Sequence, residues 1–325
     1  MALPELKRPL IIDQLEALLR RLPPQHPKRS DITDHLRRFN IGFAGEQSLD
    51  VQLSLLPDDL HIFRQITLQT SSTRETFQID LLIISPRFVF IGEVKNMAGT
   101  LRFDLHHGQL VRTLDGVEDI FRCPVRQSER QAHHFTSWLA NHVPANVPVL
   151  PYVLIANYQS KIEAPLDRSN IFHAANLPSV IVKLHENHKK NTLTKKEMEK
   201  VVRGIKEADM EAGADLLRRF HIHETELMNA MTCQTCEKGV LLRKKHSWVC
   251  SSCRYRSTQA HVEALHDLSM LIRRPLKRAE LERLFSGIPR RSSLRLIRPW
   301  TFREGYMYTL EKNKLTEAVK NQSKT

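Results

Sequence analysis

The sequence predicts an α/β (α+β) fold: a mixed sheet flanked by helices, followed by a small cysteine module and a basic helical unit. Three observations carry this expectation. Apolar runs between His61 and Val94 are joined by connections too short for a crossover, so they pair as antiparallel strands. Helical patterns lie on either side of these runs, and further apolar runs at Val149–Ala156 and Ser179–Leu184 read as added strands. Four of the five cysteines form two Cys-x-x-Cys pairs beyond the main apolar pattern.

Residues 1–39 read as helical, with Leu15, Leu18 and Leu19 on an apolar face and Pro23-Pro24 as a break. A second helix is expected from Gly42 to Leu56, closed by Pro57-Asp58-Asp59. His61–Leu68, Phe77–Ile84 and Phe88–Val94 are strands, the first two separated by the polar turn Gln69–Arg74. Leu101–Asp104 and Gln109–Thr113 form another hairpin, turning at His106-His107-Gly108. A helix from Pro124 to His142 precedes the last two apolar runs, and the domain is drawn over 40–188. A polar helical connector follows over 189–230, then the cysteine module over 231–256 and a basic helical unit over 257–325. In that unit Leu276–Phe285 reads as a helix stopped by Gly287. A second helix, capped by Ser292 or Ser293, runs through Ile297, and a hairpin turns at Glu304-Gly305. That is the order of a small winged helix-turn-helix unit.

The chain has 325 residues and a formal net charge of +13. The charge is unevenly spread: residues 1–231 carry +1 and residues 232–325 carry +12. A basic segment of this kind is either a solvated tail or a footprint for nucleic acid. Charged residues interrupt the N-terminal apolar run, which argues against a secretory leader, and no run is long enough to span a bilayer. Five cysteines with this spacing do not resemble a secreted disulfide framework, so a cytoplasmic protein is expected.

Chemistry concentrates in Gln78–Ile84 and Phe90–Asn96. Asp80 interrupts one apolar strand, and Glu93 and Lys95, two residues apart, project to one face of the next. In an antiparallel hairpin Asp80 can lie opposite both. Facing carboxylates repel unless a cation or proton intervenes, and a hard divalent ion such as Mg²⁺ suits an oxygen-rich site. Such an ion activates water and stabilises charge on a phosphate, with Lys95 orienting the water or neutralising a phosphoryl oxygen. The competing reading is a strand-end salt bridge among the same three residues.

The run Gln78–Asn96 resembles the signature of the nuclease-related domain (NERD), a branch of the PD-(D/E)XK nuclease superfamily. In that family an acid ends one strand and Glu-x-Lys ends the next, followed here by Asn96 and Gly99. Gly45-Glu46 ahead of Leu56-Pro57 matches the upstream helical Gly-Glu, and Pro124-Val125-Arg126-Gln127 matches the downstream Pro-x-x-Gln. The likeness covers about residues 40–185, and Gly92 is a small departure. It implies a restriction-endonuclease-like mixed sheet and a DNA-cleaving, Mg²⁺- or Mn²⁺-dependent phosphodiesterase. Glu46, Asp80 and Glu93 would then be metal ligands, and Lys95 and Gln127 further catalytic residues. Without the likeness Glu46 is an ordinary helix-surface acid. Arg130, Gln131 and His134 follow Gln127 at helical spacing and offer either a phosphate-facing stripe or a solvated one.

Cys233, Cys236, Cys250 and Cys253 have the spacing of a closed, structural Zn²⁺ site, similar to the four-cysteine ribbons of bacterial type I topoisomerases. Lys238, Lys244, Lys245 and Trp248 around it mix basic and aromatic groups, which suits single-stranded nucleic acid, though Trp248 could equally be the module's core. Arg291, Arg295 and Arg298 form one stripe of the second C-terminal helix, a candidate DNA contact or a solvated face. The expected partner is DNA, single- or double-stranded, with RNA also open and no membrane. The alternative function is a non-catalytic nucleic-acid-binding or scaffold protein on a degenerate nuclease fold.

Overall fold

The computed structural model describes residues 6–322 apart from 71–72, 74, 166–167, 211–212, 229–230, 234, 237–238 and 286–287. Lys238 and Gly287, singled out above, lie outside the described residues, as does Arg74 of the predicted turn. In chain order the helices and strands are α1 (Leu10–Arg21), α2 (Arg29–Gln47), α3 (Asp50–Ser54), β1 (His61–Gln69), β2 (Thr76–Ile84), β3 (Val89–Lys95), β4 (Thr100–Asp104), β5 (Gln109–Leu114), β6 (Val117–Arg122), α4 (Pro124–Ala140), β7 (Val149–Ile155), β8 (Lys161–Glu163), β9 (Ile171–His173), α5 (Leu177–Asn187), α6 (Lys195–Ala208), α7 (Leu216–Phe220), β10 (Leu241–Lys244), β11 (Ser247–Cys250), β12 (Arg256–Ser257), α8 (Ala260–Leu271), β13 (Leu276–Lys277), α9 (Arg278–Arg283), α10 (Arg290–Ile297), β14 (Thr301–Glu304), β15 (Met307–Leu310) and α11 (Lys312–Gln322). They fall into two compact units, Met1–Pro9 with Arg38–Ala212, and Leu10–Arg37 with Gly213–Thr325.

The first unit is built on a five-stranded sheet of order β1-β2-β3-β7-β9. β1, β2 and β3 pair antiparallel, and β3, β7 and β9 pair parallel, so the sheet is mixed as expected. Strand alternation splits its side chains between two layers. Leu82, Ile84 and Ile91 pack with Phe135 and Leu139 of α4 and Val201 and Ile205 of α6. Ile83, Phe90 and Leu154 pack with Leu53 of α3 and Ile181 of α5. A second sheet, β6-β5-β4-β8, takes β4, β5 and β6 from the segment between β3 and α4 and β8 from the segment after β7.

Four expectations are corrected. Ser179–Leu184, read as a strand, lies inside α5. Its Val and Ile content favours a strand, but Pro178 in the first turn and Leu177, Ile181 and Leu184 on one buried face fit a helix, and that packing prevails. The helix expected over Gly42–Leu56 is instead the end of α2 plus the short α3. β6 was not foreseen, although Asp115-Gly116, with φ of 51° and 78°, is the short hairpin turn that announces it. Ser292 and Ser293 sit inside α10 rather than capping it; Pro289 occupies the cap.

In the second unit α1 packs on α8, where Arg20 and Arg21 both donate to the buried Asp267, at 2.7 Å and 2.9 Å. β10, β11 and β12 form the small sheet of the cysteine module. The C-terminal order is α8, β13, α9, α10, β14, β15, α11, with the three strands paired β13-β15-β14. Helix, strand, two helices and a hairpin thus follow one another along this part of the chain. Among the described residues no helix is long and apolar enough to cross a membrane.

Candidate functional site

Strand alternation on β3 puts Glu93 and Lys95 on the α4 side with Ile91, while Val94 joins the opposite layer. The ladder between β2 and β3 ends at Leu81↔Gly92. One residue further Asp80 spans the gap, its Oδ2 accepting the Val94 N–H at 2.9 Å. On the other edge of β2, pairing with β1 runs from Arg64↔Leu81 to Ile66↔Ile79. The residue between, Gln65, has φ of 51°, an uncommon conformation for a residue with a side chain. Asp80 thus sits where regular pairing is interrupted on both sides. Gly92, the departure from the family pattern, faces away from the carboxylates: a Cβ there would meet Leu154 Cδ1 at 2.8 Å.

Glu46 reaches this point because α2 approaches the end of β3 closely. A Cβ on Gly45 would lie 2.4 Å from the Cβ of Asn96, so only glycine permits the approach. Asn96 Nδ2 donates to the Ile41 carbonyl at 2.9 Å and ties strand end to helix. The Glu46 carbonyl accepts from the Arg64 guanidinium, while the carboxylate Oε2 is buried with no hydrogen-bond partner.

α4 supplies the remaining groups. Lys95 Nζ donates to Glu93 Oε1 at 2.5 Å and to Gln127 Oε1 at 3.4 Å. Gln131 Nε2 donates to Glu93 Oε2 at 2.8 Å and to the Gln78 carbonyl at 2.9 Å. Glu93 is only 1% exposed, so both of its oxygens are fixed inside the protein. Gln131 corrects the expectation of a phosphate-facing stripe: it is buried one turn beyond Gln127 and acts inward, while Arg130 is exposed. The spacing of four between Gln127 and Gln131 was the available signal. Gln65 had none, since a left-handed glutamine cannot be read from a strand pattern.

The electrostatics follow from burial. Desolvation first, then repulsion from Glu93 and Glu46, pushes the Asp80 carboxyl well above the usual carboxylate range. Desolvation also raises Glu46, to about 7, against the pull of Gln65 and Arg64. Burial opposes the charge on Lys95, but Glu93 and Asp80 outweigh it and hold the ammonium above its ordinary value. The cluster is rich in oxygen donors, and Lys95 alone does not balance three carboxylates. A hard divalent cation fits that donor set and the unpartnered Glu46 oxygen. Among the described residues the four cysteines alone form a group of three or more candidate ligands all within 4.8 Å of one another.

In the second unit the thiols of Cys233, Cys236, Cys250 and Cys253 converge, all unbridged. Sγ–Sγ separations are 3.7 Å for Cys233–Cys253 and 3.6 Å for Cys236–Cys250. A tetrahedron of about 2.3 Å zinc–sulfur bonds has edges of roughly 3.8 Å, so the cluster could hold a zinc ion. Ser252 and Cys253 direct backbone N–H groups at Cys250 Sγ, at 3.3 Å and 3.4 Å. Gly239 is required, because a Cβ there would fall 2.3 Å from that sulfur. Trp248 is corrected from nucleic-acid platform to core: it is 2% exposed, donates from Nε1 to His261 Nδ1 at 3.3 Å and packs near Phe285. Lys244 and Lys245 are exposed, as are Arg291 and Arg295 on α10 and Arg298 in the turn after it.

No curated protein and no solved structure matches the chain. The family model of the nuclease-related domain matches residues 41–156, a span from α2 to the end of β7 that contains Glu46, Asp80, Glu93, Lys95 and Gln127. The first unit of this chain therefore carries a nuclease-related domain.

Proposed function

We propose that the first unit hydrolyses DNA phosphodiester bonds with a divalent cation, Mg²⁺ or Mn²⁺, held by Glu46, Asp80 and Glu93. The zinc ribbon and the basic C-terminal unit hold the nucleic acid. The observation that carries this reading is the meeting of three carboxylates from α2, β2 and β3 with one lysine where the strands part. When bound, the cation supplies Lewis acidity toward a phosphoryl oxygen and lowers the pKa of a water.

The chain's own groups do the rest. Lys95, kept protonated by Glu93 and Asp80, orients the attacking water or neutralises a phosphoryl oxygen. Gln127 steadies the ammonium, and Gln131 fixes the plane of the Glu93 carboxylate. Arg130, exposed on the same helix, contributes a contact to the phosphate backbone in this reading. Lys244 and Lys245 on the ribbon and Arg291, Arg295 and Arg298 near the C-terminal hairpin give the second unit phosphate contacts of its own, consistent with the +12 charge of residues 232–325.

The test is cleavage of plasmid and single-stranded DNA with Mg²⁺ or Mn²⁺ by the wild type, Asp80→Ala and Lys95→Ala. Cleavage by the wild type alone supports the assignment, and equal activity in all three sinks it. Salt-dependent DNA binding without cleavage by the wild type would instead favour a scaffold on a nuclease-related fold.

A further inference from the structure

The wing of the C-terminal unit carries two aromatic side chains that no part of the fold uses. β14 and β15 pair with Phe302 opposite Thr309 and Arg303 opposite Tyr308. Tyr308 is buried, and the Arg303 guanidinium lies over its ring at 5.8 Å, so that face belongs to the unit's interior. Alternation puts Phe302 on the other face, where it is 63% exposed. Tyr306 follows Gly305, whose φ of 59° makes the turn, and at the hairpin tip it is 89% exposed.

These rings sit on the hairpin that directly follows the arginine stripe in the chain. Arg291 and Arg295 lie on α10 and Arg298 in the turn after it, all exposed and spaced to share one side. Thr301 Oγ1 donates to the Ile297 carbonyl at 3.3 Å, and Glu311 N–H donates to the Trp300 carbonyl at 3.0 Å, so the wing is fastened to the end of α10. Arginines match phosphates. A continuous duplex, however, has its base faces already stacked, so stacking a free phenyl or phenol ring there means unstacking a base step. Bases with an open π-face occur in single strands and at duplex ends, and stacking on Phe or Tyr suits any base.

Building on the nucleic-acid reading above, we propose that this unit recognises a junction between duplex and single-stranded nucleic acid. The arginines grip duplex phosphates, and Phe302 and Tyr306 stack on the first unpaired bases. The surrounding positive charge selects a nucleic acid over an apolar protein surface as the occupant.

The test measures binding of the full-length, zinc-loaded chain without Mg²⁺ or Mn²⁺. The probes are a blunt DNA duplex and the same duplex opened into a fork, with a fluorescent purine analogue at the first unpaired position. The wild type is expected to bind the fork about tenfold or more tightly than the blunt duplex and to quench the analogue. Phe302→Ala with Tyr306→Ala should abolish both the preference and the quenching while leaving blunt-duplex affinity unchanged. Phe302→Tyr with Tyr306→Phe should restore both, and Arg295→Ala should weaken both probes alike. Equal binding of fork and blunt duplex by the wild type, or equal weakening of both by the double alanine variant, overturns the junction proposal alone. Binding of neither probe at low salt overturns it together with the nucleic-acid reading.

Discussion

The two clusters of candidate ligands solve opposite problems. The four cysteines come from two short knuckles within 21 residues, and their thiols already stand at the separations of a zinc tetrahedron. The carboxylates come from a helix and two strands and repel one another where burial already disfavours their charge. One arrangement could hold an ion for the sake of the fold. The other raises carboxyl groups above their usual range where the fold gains little from them, which fits the proposed chemistry.

Substitutions should separate the two by sign. Asp80→Asn is expected to lower cleavage by about 10³-fold, roughly 4 kcal/mol of barrier. It should leave the melting temperature unchanged or raised, because a carboxyl that folding pushes well above its usual range costs stability as pH rises and an amide does not. A matching loss of stability would erase the contrast. Cys250→Ser should do the reverse, taking bound zinc from one ion per chain to none by metal analysis and melting the ribbon. The first unit's far-ultraviolet signal should persist.

A smaller effect sharpens the contrast in pH. Burial first, then Arg243, pushes His261 beside Trp248 down to about 4. A histidine depressed on folding stabilises the fold above its unfolded pKa, and that contribution is lost as pH falls from about 6.5 toward 4. The loss is on the order of 3 kcal/mol, read from denaturant midpoints, and His261→Gln should flatten that part of the profile. Smallest is Gly45→Ala, whose Cβ would collide with Asn96. A cost of about 1–3 kcal/mol is expected, with a drop in cleavage as Glu46 is pushed off the strand end. Unchanged stability and activity would show that the close approach of α2 does not matter.

The same contrast explains what could be read in advance. The cysteine spacing is local, and the ribbon's ligands needed no knowledge of the fold. Asp80, Glu93 and Lys95 were legible because strand period and a short turn fix their register. Glu46 was legible only through family likeness, since nothing local shows that Gly45 lets its helix touch Asn96. Gln131 shares a helical face with Gln127, but helical spacing gives a face without saying that Glu93 covers it. Trp248 shows the same gap: a tryptophan among basic residues can be platform or core, and packing against His261 and Phe285 decides it. In α5, burial of Ile181 and Leu184 overrode the strand propensity of the β-branched run.

The proposed function gives the chain two ion sites of different kinds, one of thiols and one of carboxylates beside Lys95. Mn²⁺ titration of the zinc-loaded protein, followed by calorimetry and paramagnetic resonance, in the wild type and in Asp80→Asn separates them. Saturable Mn²⁺ binding is expected in the wild type and is lost on the substitution, with zinc content the same in both. Equal Mn²⁺ binding in both, or none in the wild type, would contradict it.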